Sequence, residues 1–232
     1  MITAPKPDHE NKRLKALREY RILDTAPEKS FDDLVDLAAC LCDTPMAMLS
    51  LVDEARQWFK AAVGVRQTET PREVSFCSHA ILRREMMVVP DARKDRRFAD
   101  NPLVTRSPRI RFYAGVPLVN AEGLALGTLC VADHRPRRLT ARQRRALKSL
   151  SRLALIQMDL RRVSGQLAEA LSDLKTLQGL LPICMYCKQI RDDQGCWNQL
   201  EEYVSAHTEA HFSHGICPPC AKKHHPELTR ER

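Results

Sequence analysis

Nine apolar positions, Leu153, Ile156, Leu160, Val163, Leu167, Ala170, Leu174, Leu177 and Leu181, follow one another at alternating spacings of three and four. That period keeps a narrow apolar stripe on one side of a helix, the pattern of a coiled-coil seam of about four heptads. The simplest arrangement is a parallel homodimer. An amphipathic helix docked on its own domain would show a similar stripe, and Gly165 and Gly179 each lower helix propensity by about 1 kcal/mol. The seam stays in phase through both glycines. It therefore connects two different kinds of sequence, a strand-rich segment before it and a short Cys- and His-rich tail after it.

The tail carries Cys184-Met185-Tyr186-Cys187 and Cys217-Pro218-Pro219-Cys220, with 29 residues between the pairs. Two C-x-x-C pairs are the spacing of a closed tetrahedral zinc site, with metal–sulfur distances near about 2.3 Å. Cys184, Cys187, Cys217 and Cys220 are thus the expected ligands of a structural zinc in a small zinc-ribbon-like module. Trp197, Leu200, Tyr203 and Val204 offer too small an apolar set for such a segment to fold unaided, and metal binding would supply the difference. Two alternatives stay open. His207, His211 or His214 could replace one thiolate, or the pairs could be redox dithiols. Cys196 has no assigned role.

Nine cysteines, 44% hydrophobic content and a net charge of +8 bound the rest. The odd cysteine count suits thiols and metal ligands in a reducing compartment better than a disulfide framework. No apolar run reaches membrane-spanning length, and the start MITAPKPDHENKR is polar where a signal peptide would be apolar, so a cytoplasmic protein with no membrane contact is expected. The positive charge concentrates between Arg135 and Arg162, with ten Arg or Lys residues against Asp159 alone. A nucleic-acid footprint would need an accompanying motif. None is present, so a solvated helix face is the preferred reading.

In chain order, Leu14, Leu17 and Ile22 mark a short helix, followed by a capping box Thr25-Ala26-Pro27-Glu28. Phe31, Leu34, Val35, Ala38 and Leu41 mark a second helix, stopped by Thr44-Pro45. Residues 46–53 and 57–64 form a hairpin, 75–83 a helix and 87–92 a strand. Residues 111–119 and 125–133 form a second hairpin. Strands joined by hairpins and interspersed with helices define an α+β class with an antiparallel sheet. Cys40, Cys42 and Cys130 alternate with apolar residues and read as buried small hydrophobes.

The blocks ILDTAPEKSFDDLVDLAACL, SLVDEARQWFKAAVG, ETPREVSFCSHAI, VVPDARKDRRFADNPLV, IRFYAGVPL and LGTLCVAD resemble, in this order, the GAF domains of bacterial two-component and cyclic-di-nucleotide signalling proteins, over roughly residues 10–162. The resemblance implies an antiparallel sheet flanked by helices, a pocket on one sheet face and dimerisation through terminal helices. Phe76, Cys77, His79, Arg109 and Phe112 are the residues it suggests for that pocket, whose small-molecule ligand is left unspecified. Arg106, Arg109 and Arg111, with Arg93 to Arg97, would make the rim attractive to anions. Ser78 separates Cys77 from His79, unlike the adjacent Cys-His of bilin-binding relatives. The tail from Leu181 to about residue 224 resembles a module appended to GAF, PAS and receiver proteins.

The expected organisation is a GAF domain at 1–138, a signalling helix at 139–181, a Cys-rich module at 182–225 and a disordered tail at 226–232. No phosphate loop, nucleophile elbow, kinase histidine or GGDEF-like segment occurs, so a non-enzymatic sensor or adaptor is expected, working as a homodimer with an unidentified signalling protein. The alternative is a thiol redox enzyme or redox sensor, of the methionine sulfoxide reductase kind, using Cys77 or the tail pairs.

Overall fold

The computed structural model describes residues 1–178, 181–192, 194–207, 211–213 and 215–225, with side chains of 173–178 excepted. The chain divides into two compact units, residues 1–168 and 169–232. Among the described residues no helix is long and apolar enough to cross a membrane.

In the first unit, helices α1 (Glu10–Glu19) and α2 (Lys29–Cys42) precede strands β1 (Met46–Val52), β2 (Arg56–Val63) and β3 (Glu69–Pro71). Helix α3 (Phe76–Ala80), strand β4 (Met87–Val89), helix α4 (Pro102–Thr105) and strands β5 (Phe112–Val119) and β6 (Ala125–Asp133) follow, and helix α5 (Ala141–Gln178) begins in this unit and ends in the second. The six strands form one sheet in the order β3-β2-β1-β6-β5-β4, and every neighbouring pair is antiparallel. The expected α+β architecture, with its two hairpins, is what forms.

Strand pleating sends alternate residues to opposite faces. On β1, Ala47, Leu49 and Leu51 join Phe31, Val35 and Ala38 of α2 and Leu147, Leu150, Ala154 and Met158 of α5 in one core. Met46, Met48 and Val52 face the other way, into a core with Phe76, Cys77, Phe98, Tyr113 and Cys130. The sheet is covered on both faces, which is why β1 and β6 are buried along their whole length.

Two local expectations fail for physical reasons. The Thr25–Glu28 capping box does not form: the Thr25 hydroxyl donates to Ile22 O at 2.7 Å, and Glu28 makes no side-chain cap for α2. Its carboxylate instead accepts from Lys60 Nζ at 2.7 Å and Arg161 Nε at 2.8 Å, and charge-assisted bonds of this kind outcompete a neutral N–H. Lys60 reaches it because β2 bulges there. Ser50 pairs with Phe59 and Leu49 with Ala61, so Lys60 is the extra residue and lies on the helix side of the sheet, over the Phe31 ring. Leu41 and Cys40, expected inside, are exposed on α2.

Helix α5 carries two stripes. Leu147, Leu150, Ala154 and Met158 are buried against the sheet, whereas the seam positions Leu153, Ile156, Leu160, Val163 and Leu167 are each more than half exposed. The seam and the domain-facing stripe are therefore different faces. The seam's later side chains, Leu174 and Leu177, lie outside the described residues, as does Gly179. Leu181 follows the helix instead of continuing it.

The second unit contains a two-stranded pair, β7 (Ile190–Arg191) with β8 (Trp197–Asn198), and helices α6 (Leu200–His207) and α7 (Pro218–His224). The Asp192 carboxylate closes the hairpin, accepting from Cys196 N at 2.8 Å, Gln194 N at 3.0 Å and Asn198 Nδ2 at 2.7 Å. Among the described residues of this unit only Ile190 is buried. Residues 226–232 lie outside the described residues.

Candidate functional site

A cavity of about 100 Å³ opens on the sheet face opposite α2 and α5. Its wall is mostly apolar, with Met46, Met48, Phe59, Val65, Leu103 and Ile110 contributing. Exposed Gln67 and Ser107 and buried Cys77 and Cys130 also line it. That space admits a few waters or a small organic molecule. The hydroxyl of Thr70, on the same wall, is buried and has no hydrogen-bond partner.

Four elements converge on the Cys77 sulfur. Cys77 lies in α3, whose first turn is fixed by the Ser75 hydroxyl accepting from Ser78 N at 3.1 Å. Ser50 Oγ of β1 donates to Cys77 Sγ at 3.1 Å, Thr128 Oγ1 of β6 at 3.0 Å and Tyr113 OH of β5 at 3.2 Å. Cys130 Sγ, also on β6, is 3.8 Å away and 3.6 Å from Met48 O. Ser50 and Thr128 are fully buried. Gly115 makes room for the phenol, because a Cβ there would stand 2.2 Å from Tyr113 OH.

The electrostatics follow from this crowding. Burial alone pushes the Cys77 thiol up, but the hydrogen bonds from Cys130, Ser50, Thr128 and Tyr113 outweigh it and hold Cys77 below the ordinary thiol range. Its neighbours move the other way. The contact with Cys77, then burial, keeps Cys130 a neutral thiol, while burial first and the Cys77 charge second keep Tyr113 a phenol. Three hydroxyl groups thus donate to one sulfur, an arrangement that favours its thiolate form.

Of the five residues suggested by the sequence, Phe76 and Cys77 line the cavity. The other three are elsewhere. Phe112 sits on the helix side of the sheet, since its neighbour Tyr113 takes the cavity side of β5. His79 lies at the far end of α3, with Nε2 3.0 Å from Ile2 O and its ring edge-on to Phe98; burial lowers its imidazole pKa. Arg109 is exposed in a left-handed backbone position, φ 60°. Within the anion-attracting rim Arg93 pairs with Asp91 and Arg97 with Asp95, whereas Arg111 donates to Val104 O and Ile110 O and keeps its charge.

The residues that sequence reasoning missed are Ser50, Thr70, Tyr113, Thr128 and the role of Cys130. The available signal was a polar residue inside an apolar run, as with Ser50 in MAMLSLV and Thr128 in ALGTLCVA. Such a group must find a partner inside.

In the tail, Cys184 and Cys187 span a turn, while Cys217 is the N-cap of α7 and Cys220 lies in its first turn. Backbone N–H groups of Cys187, Tyr186 and Lys188, with the Cys187 thiol, lower the Cys184 pKa; the Cys220 N–H and thiol do the same for Cys217. Lys188 adopts φ 62°, and its N–H bonds Cys184 O at 3.0 Å. Each pair can offer two thiolates to one cation. Yet among the described residues no three His, Cys, Asp or Glu side chains are gathered as a metal would need, so the expected four-cysteine cluster is not assembled there. His207 bonds Tyr203 O at 2.7 Å, His211 is exposed and His214 lies outside the described residues.

Comparison with known proteins places this geometry. A curated relative, a cyclic di-GMP phosphodiesterase of Pseudomonas aeruginosa, is 40% identical over 170 residues, covering 73% of this chain and 29% of the relative. The chain thus spans under a third of that protein. The expectation of a non-enzymatic protein is overturned by this finding, because the relative carries an enzyme's name. Among solved structures, the GAF domain of a phosphoenolpyruvate-protein phosphotransferase from Coxiella burnetii superposes with TM-score 0.51 at 15% identity, covering 68% of this chain and 99% of that one. The blue-light absorbing form of the PixJ GAF domain from Thermosynechococcus elongatus gives 0.48 at 18%, covering 70% and 96%. The GAF domain model matches residues 26–158, more than half of the sequence, and the chain belongs to the GAF domain family.

Proposed function

We propose that this chain is a sensory module of cyclic di-GMP signalling, whose first unit binds a small, uncharged, mostly apolar molecule with one hydrogen-bonding group. The observation that carries the reading is the orphaned Thr70 hydroxyl on an apolar cavity wall. An unsatisfied buried hydroxyl costs about 1–3 kcal/mol, and a ligand that bonds it recovers that cost in the bound state. The cyclic di-GMP assignment rests on the phosphodiesterase relative. Thermal unfolding tests the binding: in a panel of uncharged alcohols, ketones and amides of four to eight heavy atoms, a binder at a hundredfold excess over Kd stabilises by about 2.7 kcal/mol. Thr70→Val weakens it. A panel that shifts nothing sinks the sensory reading, and unchanged cellular cyclic di-GMP on expressing Thr70→Val in place of the wild type removes the signalling assignment.

The output side follows from the exposed seam. Leu153, Ile156, Leu160, Val163 and Leu167 form an unpartnered apolar stripe on a helix whose opposite face is already committed, so a second copy of the chain aligned in parallel is the proposed occupant. Zinc is proposed for the tail, held by Cys184, Cys187, Cys217 and Cys220. Supporting it, each pair already has the N–H···S turn that presents two sulfurs together, and zinc there would supply folding free energy, with no role in a reaction.

A further inference from the structure

The Cys77 and Cys130 pair is not used by the ligand reading, and its arrangement exceeds what packing requires. A sulfur placed only to fill space has no need of three hydroxyl donors and a glycine that clears the way for one of them. Cys42 shows the contrast. It is a buried thiol on the helix side, and burial alone pushes it up to about 11. Cys77 instead lines a cavity whose wall also includes exposed Gln67 and Ser107. A second thiol stands 3.8 Å from it. We propose that Cys77 and Cys130 form a peroxide-oxidised dithiol, with Cys77 as the attacking sulfur and Cys130 as the resolving one.

The chemistry balances with hydrogen peroxide as the oxidant. The Cys77 thiolate attacks one peroxide oxygen, the O–O bond breaks, and hydroxide leaves to take a proton, giving Cys77 sulfenic acid and water. The Cys130 thiol then attacks the Cys77 sulfur. The S–O bond breaks, the leaving oxygen takes the Cys130 proton, and a disulfide and a second water result. Both sulfurs are oxidised and both peroxide oxygens end as water. The cavity has room for peroxide, and the hydroxyls of Ser50, Thr128 and Tyr113 stabilise the attacking thiolate. Closing the bond requires the sulfurs to approach by roughly 2 Å. Cys77 lies on the five-residue helix α3 and Cys130 on strand β6.

The test uses the full chain, reduced and then exposed to graded hydrogen peroxide, with peptide mapping under non-reducing conditions. The expected product is a Cys77–Cys130 disulfide, reversed by a dithiol reductant. Cys130→Ser accumulates a Cys77 sulfenic acid that dimedone traps, and Cys77→Ser leaves Cys130 unreacted. Tyr113→Phe, which keeps the ring and loses one donor, slows oxidation about tenfold at neutral pH. Oxidation is mapped with no panel compound present and ligand binding is read on the reduced chain, so the two ideas fail separately. Mapping of the wild-type chain decides the matter without any variant: Cys77 and Cys130 recovered as free thiols after peroxide has oxidised the exposed tail cysteines overturns the proposal.

Discussion

The two units of this chain spend similar kinds of residue very differently. In residues 1–168 the apolar side chains of five strands and five helices are packed into two cores, one on each sheet face. In residues 169–232, Ile190 is buried while Met185, Tyr186, Trp197, Phe212 and Ile216 are exposed, among the described residues. Ordering a residue costs about 1–2 kcal/mol of backbone entropy, and burying one isoleucine returns about 1.5–3 kcal/mol. The first unit can meet that cost from its own packing. The second needs an outside source of free energy, which is the physical case for a metal or a partner.

The largest effect expected is therefore on the tail. If zinc holds it, chelation removes a binding free energy of about 10 kcal/mol or more, and the amide protection of α6 and α7 disappears while the sheet keeps its melting temperature. A tail indifferent to chelators, in protein shown to contain no metal, breaks the comparison. Next comes the opposite perturbation. Leu49→Ala in β1 removes a fully buried side chain and should lower the stability of the first unit by about 3–5 kcal/mol, with the tail's metal content unchanged.

A pH experiment sharpens the same contrast at about 3 kcal/mol. Burial raises the Glu10 carboxyl, but hydrogen bonds and charge from Arg13 and Arg72 outweigh it and bring it to about 2. Because the folded value is depressed, this contribution is complete above the unfolded value near 4.5 and is lost as pH falls toward about 2. Denaturant titrations across that window should show the first unit weakening, and Glu10→Gln should flatten that part of the profile. The smallest effect on folding belongs to the seam. Leu160→Glu with Leu167→Glu should convert a dimer to a monomer by light scattering, yet change the first unit's stability by no more than about 0.5 kcal/mol per site, as exposed substitutions do. A wild-type monomer at micromolar concentration removes the second-copy proposal.

The strands and hairpins were legible because their signal is local: apolar runs bounded by turns. Face assignment was not. Phe112 and Tyr113 are both aromatic and adjacent, and nothing local says which one enters the cavity; the pleat register set by β6 decides. Helix α5 misled in another way, since its most regular stripe is the exposed one and the stripe that docks, Leu147, Leu150, Ala154 and Met158, is shorter. Cys130 read as a small hydrophobe because its chemistry depends on Cys77, 53 positions away in sequence. The Cys77 cage is built across four elements, and only the register of β1, β5 and β6 assembles it.

The bulge at Lys60 has a mechanical consequence. Phe59 touches the cavity, and the next side chain, with no exposed surface, grips Thr25, Ala26 and Glu28, the last of which Arg161 also holds. Adjacent residues of one strand thus behave as the two arms of a rocker with a single peptide unit as its axle. Lys60 is held by three hydrogen bonds 2.6–2.8 Å long. The cavity wall at this point is thus tied, through Lys60 and Glu28, to Arg161 in the middle of α5, on the opposite side of the sheet.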